Sequence, residues 1–226
     1  MSASARHHIA PSWLLLAAAL CASACSGAAT APGNEAGPSG LSEAQGERLP
    51  EGERLLAQPP AGWQQTGATN LPTLRRAEFV PDDETADDWT HRITFEAMIE
   101  TPLPDPIEFV DLLAESRQRE CGTFERLPTF SGEENGYPTS VDLLVCHHDR
   151  KTDTSEVVLM KTIQGNDAFY IITRGERGAP IPEGGKPSVE DVEVGAWALY
   201  LRSVTVCDDA RAGHACPTVA APDRSE

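Results

Sequence analysis

Alternating apolar and polar positions pick out the strands of this chain. Ile93, Phe95, Ala97 and Ile99 alternate with Thr94 and Glu96, so residues 90–99 have the period of two of a half-buried strand. Residues 74–80 end in Glu78-Phe79-Val80-Pro81, a strand stopped by proline. Two more strands are expected over 123–130 and 140–147, around a polar connection containing Asn135-Gly136. That pair signals a turn because both residues tolerate positive φ. Residues 156–163 and 168–174 flank Gln164-Gly165-Asn166-Asp167, as in a tight hairpin. Val157-Val158-Leu159-Met160 is apolar on both sides, which places its strand in the middle of a sheet. Residues 174–186 read as a polar Gly/Pro loop.

Two stretches change to a helical period. Asp105 stands at a cap, Pro106 at the first helical position and Glu108 three residues past the cap, a capping-box pattern. Ile107, Val110, Leu113 and Ala114 then share a face, backed by Phe109 and Leu112, with an end expected near Arg119. The second helix is expected from a Ser188 cap with Asp191 at the third position. Val192, Ala196, Trp197, Leu199, Tyr200 and Leu201 form its wide apolar side. Hairpin-linked strands with two interspersed helices define an α+β fold: a mainly antiparallel β-sheet flanked by two helices, each needing a sheet face to cover.

The N-terminus follows a different logic. Arg6 precedes an apolar run over residues 9–20, which is short of the ~20 residues a spanning helix needs. A basic start, a short apolar core and small residues describe an export signal. The segment Leu20-Cys21-Ala22-Ser23-Ala24-Cys25-Ser26-Gly27 resembles a lipobox, so residues 1–24 are expected to be removed and Cys25 to carry the lipid. Cleavage by an ordinary signal peptidase, releasing a soluble protein, is the alternative. Ser26, where an aspartate would imply inner-membrane retention, favours the outer membrane by resemblance to Gram-negative lipoproteins. The expected location is an outer-membrane lipoprotein facing the periplasm, bound to the membrane through its acyl chains.

Residues 25–57 are rich in Ala, Gly, Pro, Ser and Glu and contain no aromatic side chain, the composition of a flexible stalk. About 30 such residues reach roughly 30 Å. The folded domain is then expected over 58–208, with a disulfide loop and tail over 209–226. The chain carries 35 acidic against 18 basic side chains, a formal charge of −17. An acidic surface argues against nucleic acid and against docking on anionic lipid, leaving the acyl chains as the membrane contact.

Beyond Cys21 and Cys25, the domain holds Cys121, Cys146, Cys207 and Cys216. An even number in an exported domain reads as two disulfides with three possible connectivities, of which the sequence neighbours, 121–146 and 207–216, are the simplest. The four show no C-x-x-C pair, so a zinc site among them is disfavoured.

Two groups of metal-ligand type remain. The acidic run Asp82–Asp88 lacks the spacing of a calcium loop and reads as solvated or structural. His147-His148-Asp149 places adjacent histidines on opposite sides of a strand, where they do not chelate one ion together; His91 and His214 are distant candidates to join them. No nucleophile elbow, P-loop, H-E-x-x-H or dinucleotide fingerprint occurs, and no cofactor is implied. Trp63, Trp89, Trp197 and Tyr137 read as core or turn anchors.

The run from Glu78-Phe79-Val80-Pro81 through Asp88-Trp89-Thr90 to Ile93-Thr94-Phe95, followed by a helix, resembles Mog1/PsbP-type domains. Asn135-Gly136-Tyr137-Pro138, with Cys121, Cys146 and Val206-Cys207-Asp208, also resembles uncharacterised proteobacterial lipoproteins. The resemblance spans roughly residues 59–207 and implies an antiparallel sheet flanked by helices in a binding or assembly factor; it transfers no functional residue. The expected function is a non-catalytic envelope lipoprotein that binds another envelope protein or supports assembly at the membrane. A metal- or small-ligand-binding module using His147/His148 or Asp82–Asp88 is the alternative, ahead of a hydrolase with a dispersed triad.

Overall fold

The computed structural model describes residues 52–187 and 189–217. The expected signal peptide, Cys25, most of the expected stalk, Ser188 and the last nine residues lie outside them. The described elements run in the order β1 (Arg54–Leu56), β2 (Trp63–Leu71), β3 (Leu74–Pro81), β4 (His91–Met98), α1 (Pro106–Glu120) and β5 (Phe124–Glu134). They continue with β6 (Tyr137–Asp149), β7 (Thr154–Gln164), β8 (Phe169–Gly178), α2 (Asp191–Ser203) and β9 (Thr205–Cys207). Seven strands form one antiparallel sheet in the order β2-β3-β4-β8-β7-β6-β5, and β1 pairs with β9 separately. This is an α+β sandwich.

Strand periodicity sends neighbouring side chains to opposite layers. On β8, Phe169 and Ile171 join Val110 of α1, Leu144 and Met160 in one core. Tyr170 and Ile172 join Trp197 and Leu201 of α2, with Leu159 and Ile163, in the other. Each helix therefore covers its own face of the sheet. β7 lies between β6 and β8 and is buried on both sides, as its apolar run requires.

α1 starts where its cap residues dictate. The Asp105 carboxylate accepts hydrogen bonds from the backbone N–H groups of Ile107 (2.8 Å) and Glu108 (3.2 Å), and Pro106 follows the cap. Phe109, Val110 and Leu113 face the sheet, but Ile107 and Leu112 are exposed, so the buried stripe is narrower than the apolar composition implied. α2 shows the same. Its core-facing positions, buried Trp197 and Leu201 with half-buried Val194 and Ala198, have helical spacing, whereas Val192, Ala196 and Leu199 face outward. Its N-cap is Glu190, whose side chain makes no capping bond.

The β5–β6 hairpin differs from the expectation of a long polar connection. The strands run up to Asn135 (φ 49°) and Gly136 (φ 75°), which alone make the turn. Residues 131–134 carry no strand pattern because β5 is an edge strand, exposed over most of its length and under no demand for alternation. The opposite edge, β2, was missed for the same reason: its sequence WQQTGATNL carries little apolar signal. β8 likewise continues to Gly178, four residues past the expected strand end at 174.

A Cβ on Gly136 would stand 2.9 Å from His214 Cε1, in a backbone conformation that side chains resist. Gly136→Ala should therefore lose at least about 1–2 kcal/mol of stability, read from the midpoint of urea denaturation; an unchanged midpoint would contradict the turn geometry.

Residues 52–57 correct the expected domain boundary. Their composition is that of the expected stalk, yet Arg54–Leu56 pair with Cys207, Val206 and Thr205, Leu55 and Ala57 pack on the α2-side core, and Glu53 is fully buried. The folded domain thus begins by Gly52 rather than at 58. At the other end Cys207 is joined to Cys216 (Cα–Cα 4.8 Å), and His214 packs on Tyr137 with ring centroids 4.3 Å apart. Cys121 is joined to Cys146 (Cα–Cα 5.6 Å), tying the end of α1 to β6.

Candidate binding cleft

α1 is a single helix on a seven-stranded sheet, and its sheet contacts are chiefly with β5, β6 and β7. On the same face, β3, β4 and β8 bring forward Arg76, Arg92, Thr94, Glu96 and Thr173, which lie beside the helix instead of beneath it. The result is a cleft of about 260 Å³ between α1 and the sheet. Its apolar part comes from Phe109 and Leu113 on the helix and from Leu144, Val158, Met160 and Ile171 on the strands.

A chain of charges runs along the polar side. Arg76 Nη2 lies 2.5 Å from Glu78 Oε1 and its Nε 3.6 Å from Glu96 Oε2. Glu156 then links two arginines, with Oε1 3.7 Å from Arg92 Nη2 and Oε2 2.7 Å from Arg117 Nη2. Arg117 Nη1 also lies 3.5 Å from Asp149 Oδ2. Burial pulls the Arg92 guanidinium below its ordinary range, against the pull of Glu156 and Glu78, and pushes the Glu96 carboxyl up despite Arg76. Arg92 is held in place by stacking, its Cζ 4.0 Å from the Trp89 ring centroid, with Arg177 Cζ at 4.4 Å.

Such a cleft can take an apolar group on its floor while its rim exchanges hydrogen bonds and charge with polar neighbours. Its alternating arginines and glutamates suit a segment carrying both signs better than a single strong anion. Histidine is absent from the lining, whose hydroxyls come from Thr94 and Thr173.

The residues singled out from sequence lie elsewhere. Within Asp82–Asp88, Asp82, Asp83, Asp87 and Asp88 are exposed, while Glu84 turns inward. Its carboxylate accepts from the N–H groups of Thr90 (2.7 Å) and His91 (3.0 Å). Burial raises the Glu84 pKa, but these bonds outweigh it and leave the carboxyl below its usual range. The run therefore organises the start of β4. His147 and His148 meet separate carboxylates, Glu125 at 2.6 Å and Asp153 at 2.8 Å. His91 meets Thr90 and Glu84, and His214 Nδ1 lies 3.0 Å from the Asn135 carbonyl, so neither is brought to this pair. Of the aromatic residues, Trp89, Tyr137 and Trp197 are buried and Trp63 is half-buried.

Sequence reasoning missed the cleft residues. The polar side of β4, with Thr94 and Glu96, has the signature of a water-facing surface, and only α1 folding beside it makes a cleft there. A detectable signal was the recurrence of Arg and Glu at alternate positions of neighbouring strands, as in Arg76, Glu78, Arg92 and Glu96.

No family model and no curated protein matches the chain. Among the solved structures that align with it are two at low TM-score. A mutant form of the protein Mog1 aligns at TM-score 0.41 and 13% identity, over 70% of this chain and 93% of its own. The Ran-binding protein Mog1p of Saccharomyces cerevisiae aligns at TM-score 0.41 and 14% identity, over 70% and 92%.

Proposed function

We propose that this protein is a lipid-tethered, non-catalytic binding module of the cell envelope, anchored through Cys25 at the outer membrane and facing the periplasm. The observation that carries this reading is the pairing of all four domain cysteines into two bridges, 121–146 and 207–216, behind a lipobox-like segment. Disulfides persist in oxidising compartments, so the domain suits the space to which the leader points. The cleft beside α1 is the surface we assign to an envelope protein partner, through a segment with an apolar side chain between polar ones.

Mass spectrometry of the membrane-extracted protein should find acyl chains on an N-terminal Cys25, and Cys25→Ala should appear unacylated in the soluble fraction. Crosslinking in intact envelopes should recover a reproducible partner that Arg76→Glu, at the cleft rim, loses. An unacylated wild-type protein would overturn the anchor; recovery unchanged by Arg76→Glu would overturn the cleft.

A further inference from the structure

We propose that His91, Glu176 and Glu193 bind a divalent transition metal of the zinc type, on the face of the sheet opposite the cleft. Three separate elements deliver these side chains. His91 begins β4, Glu176 stands directly across from it on β8, and Glu193 projects from the first turn of α2. One oxygen or nitrogen from each lies within 4.8 Å of the others.

The distances fit an ion better than direct contacts. His91 Nε2 lies 3.5 Å from Glu176 Oε2 and 3.9 Å from Glu193 Oε1, beyond a good hydrogen bond to Glu193 and at its limit for Glu176. A tetrahedral zinc with ligands at about 2.0–2.1 Å holds those ligands about 3.3 Å apart. Closing from 3.5 and 3.9 Å, and from at most 4.8 Å between any two of the three ligand atoms, to about 3.3 Å takes side-chain movements of roughly 0.2–1.5 Å, within the freedom of half-buried side chains.

The other side of the imidazole is already arranged for this. His91 Nδ1 faces Thr90 Oγ1 at 2.9 Å and Glu84 Oε1 at 3.4 Å, the carboxylate–histidine pairing that orients a metal-binding ring. With the proton on Nδ1, the Nε2 lone pair points toward the two glutamates. A divalent ion at that point would join the nitrogen and both carboxylates at one centre. Arg174, whose guanidinium feels the charge of Glu193, is held among the rings of Trp63 (5.3 Å), Trp197 (5.5 Å) and Tyr200 (5.8 Å). The His91 and Glu193 side chains are 33% and 38% exposed, which leaves an entry path and a fourth position for water.

The test is calorimetric titration of the mature full-length protein with zinc chloride, with cobalt(II) absorption as a report on geometry. One equivalent of zinc should bind, and cobalt should show the visible absorption of a tetrahedral site. Glu193→Gln and His91→Ala should each weaken binding by at least about tenfold, while His148→Ala leaves it unchanged. Because Glu193 lies on an exposed turn, Glu193→Gln keeps the test decisive should His91→Ala fail to fold. Absence of stoichiometric uptake by the wild type would overturn the proposal, as would binding that survives Glu193→Gln undiminished.

Discussion

Glu53→Ala should lose at least about 3 kcal/mol of folding stability, because it removes an acceptor from several buried donors at once. The Glu53 side chain is fully enclosed and reaches the turn between β7 and β8. Oε2 accepts from Asn166 N at 2.6 Å and Asn166 Nδ2 at 3.3 Å; Oε1 accepts from Asp167 N and from the Tyr170 hydroxyl, both at 3.2 Å. Burial, reinforced by the Glu53 charge, pushes the Tyr170 phenol far above its ordinary pKa and keeps it a donor. Gly165 lets the carboxylate approach, since a Cβ there would stand 2.2 Å from Oε1.

Glu53→Gln keeps one acceptor oxygen and should lose less. A chain starting at residue 58 lacks both this anchor and β1, and should be less stable than one starting at residue 50 by at least the Glu53→Ala difference. Urea denaturation of the two substitutions and the two truncations measures all of this. Equal stability of the two truncations would remove β1 from the folded domain.

Lys161→Met should lose about 3–5 kcal/mol, the range for breaking a buried charged pair by deleting one partner. Lys161 is fully buried on β7, where its neighbours on the same side are Leu159 and Ile163. Its Nζ donates to the carbonyls of Leu201 (3.0 Å) and Val204 (2.8 Å) at the C-terminal end of α2, and pairs with the Glu134 carboxylate. A cation there satisfies helix-end carbonyls and opposes the negative end of the helix dipole. Methionine matches the length of lysine but leaves both carbonyls unmet and Glu134 uncompensated. Glu134→Gln removes the counter-charge of a buried cation but keeps an oxygen that can accept from Nζ beside the two carbonyls, so it should lose less than Lys161→Met. Thermal and urea denaturation of both variants should show this asymmetry. A Lys161→Met protein as stable as the wild type would mean that the helix end does not depend on this cation.

These two residues show where reading along the chain stops. Lys161 sits within an apolar strand and Glu53 within a polar, Ala- and Glu-rich stretch; nothing local distinguishes either from an exposed charge. Each acquires its role from a partner at least 27 residues away in sequence. The expected stalk boundary at 57 failed for that reason, since three residues of β1 hold no pattern until β9 pairs with them.

Properties that depend on a few adjacent residues were legible. Asp105 and Pro106 placed the start of α1, alternation placed β4, two-sided apolarity placed β7 in the interior of the sheet, beside the middle strand β8, and Asn135-Gly136 placed a turn. In these cases the dihedral and burial preferences are intrinsic to the residues. The edge strands β2 and β5 were invisible or truncated, because a strand buried on neither face needs no apolar period. The cleft and the His91, Glu176 and Glu193 group arise only when β3, β4, β7, β8 and the two helices meet. Their side chains are polar, so no local preference records them; the long-range strand pairing that joins them is a property of the folded chain.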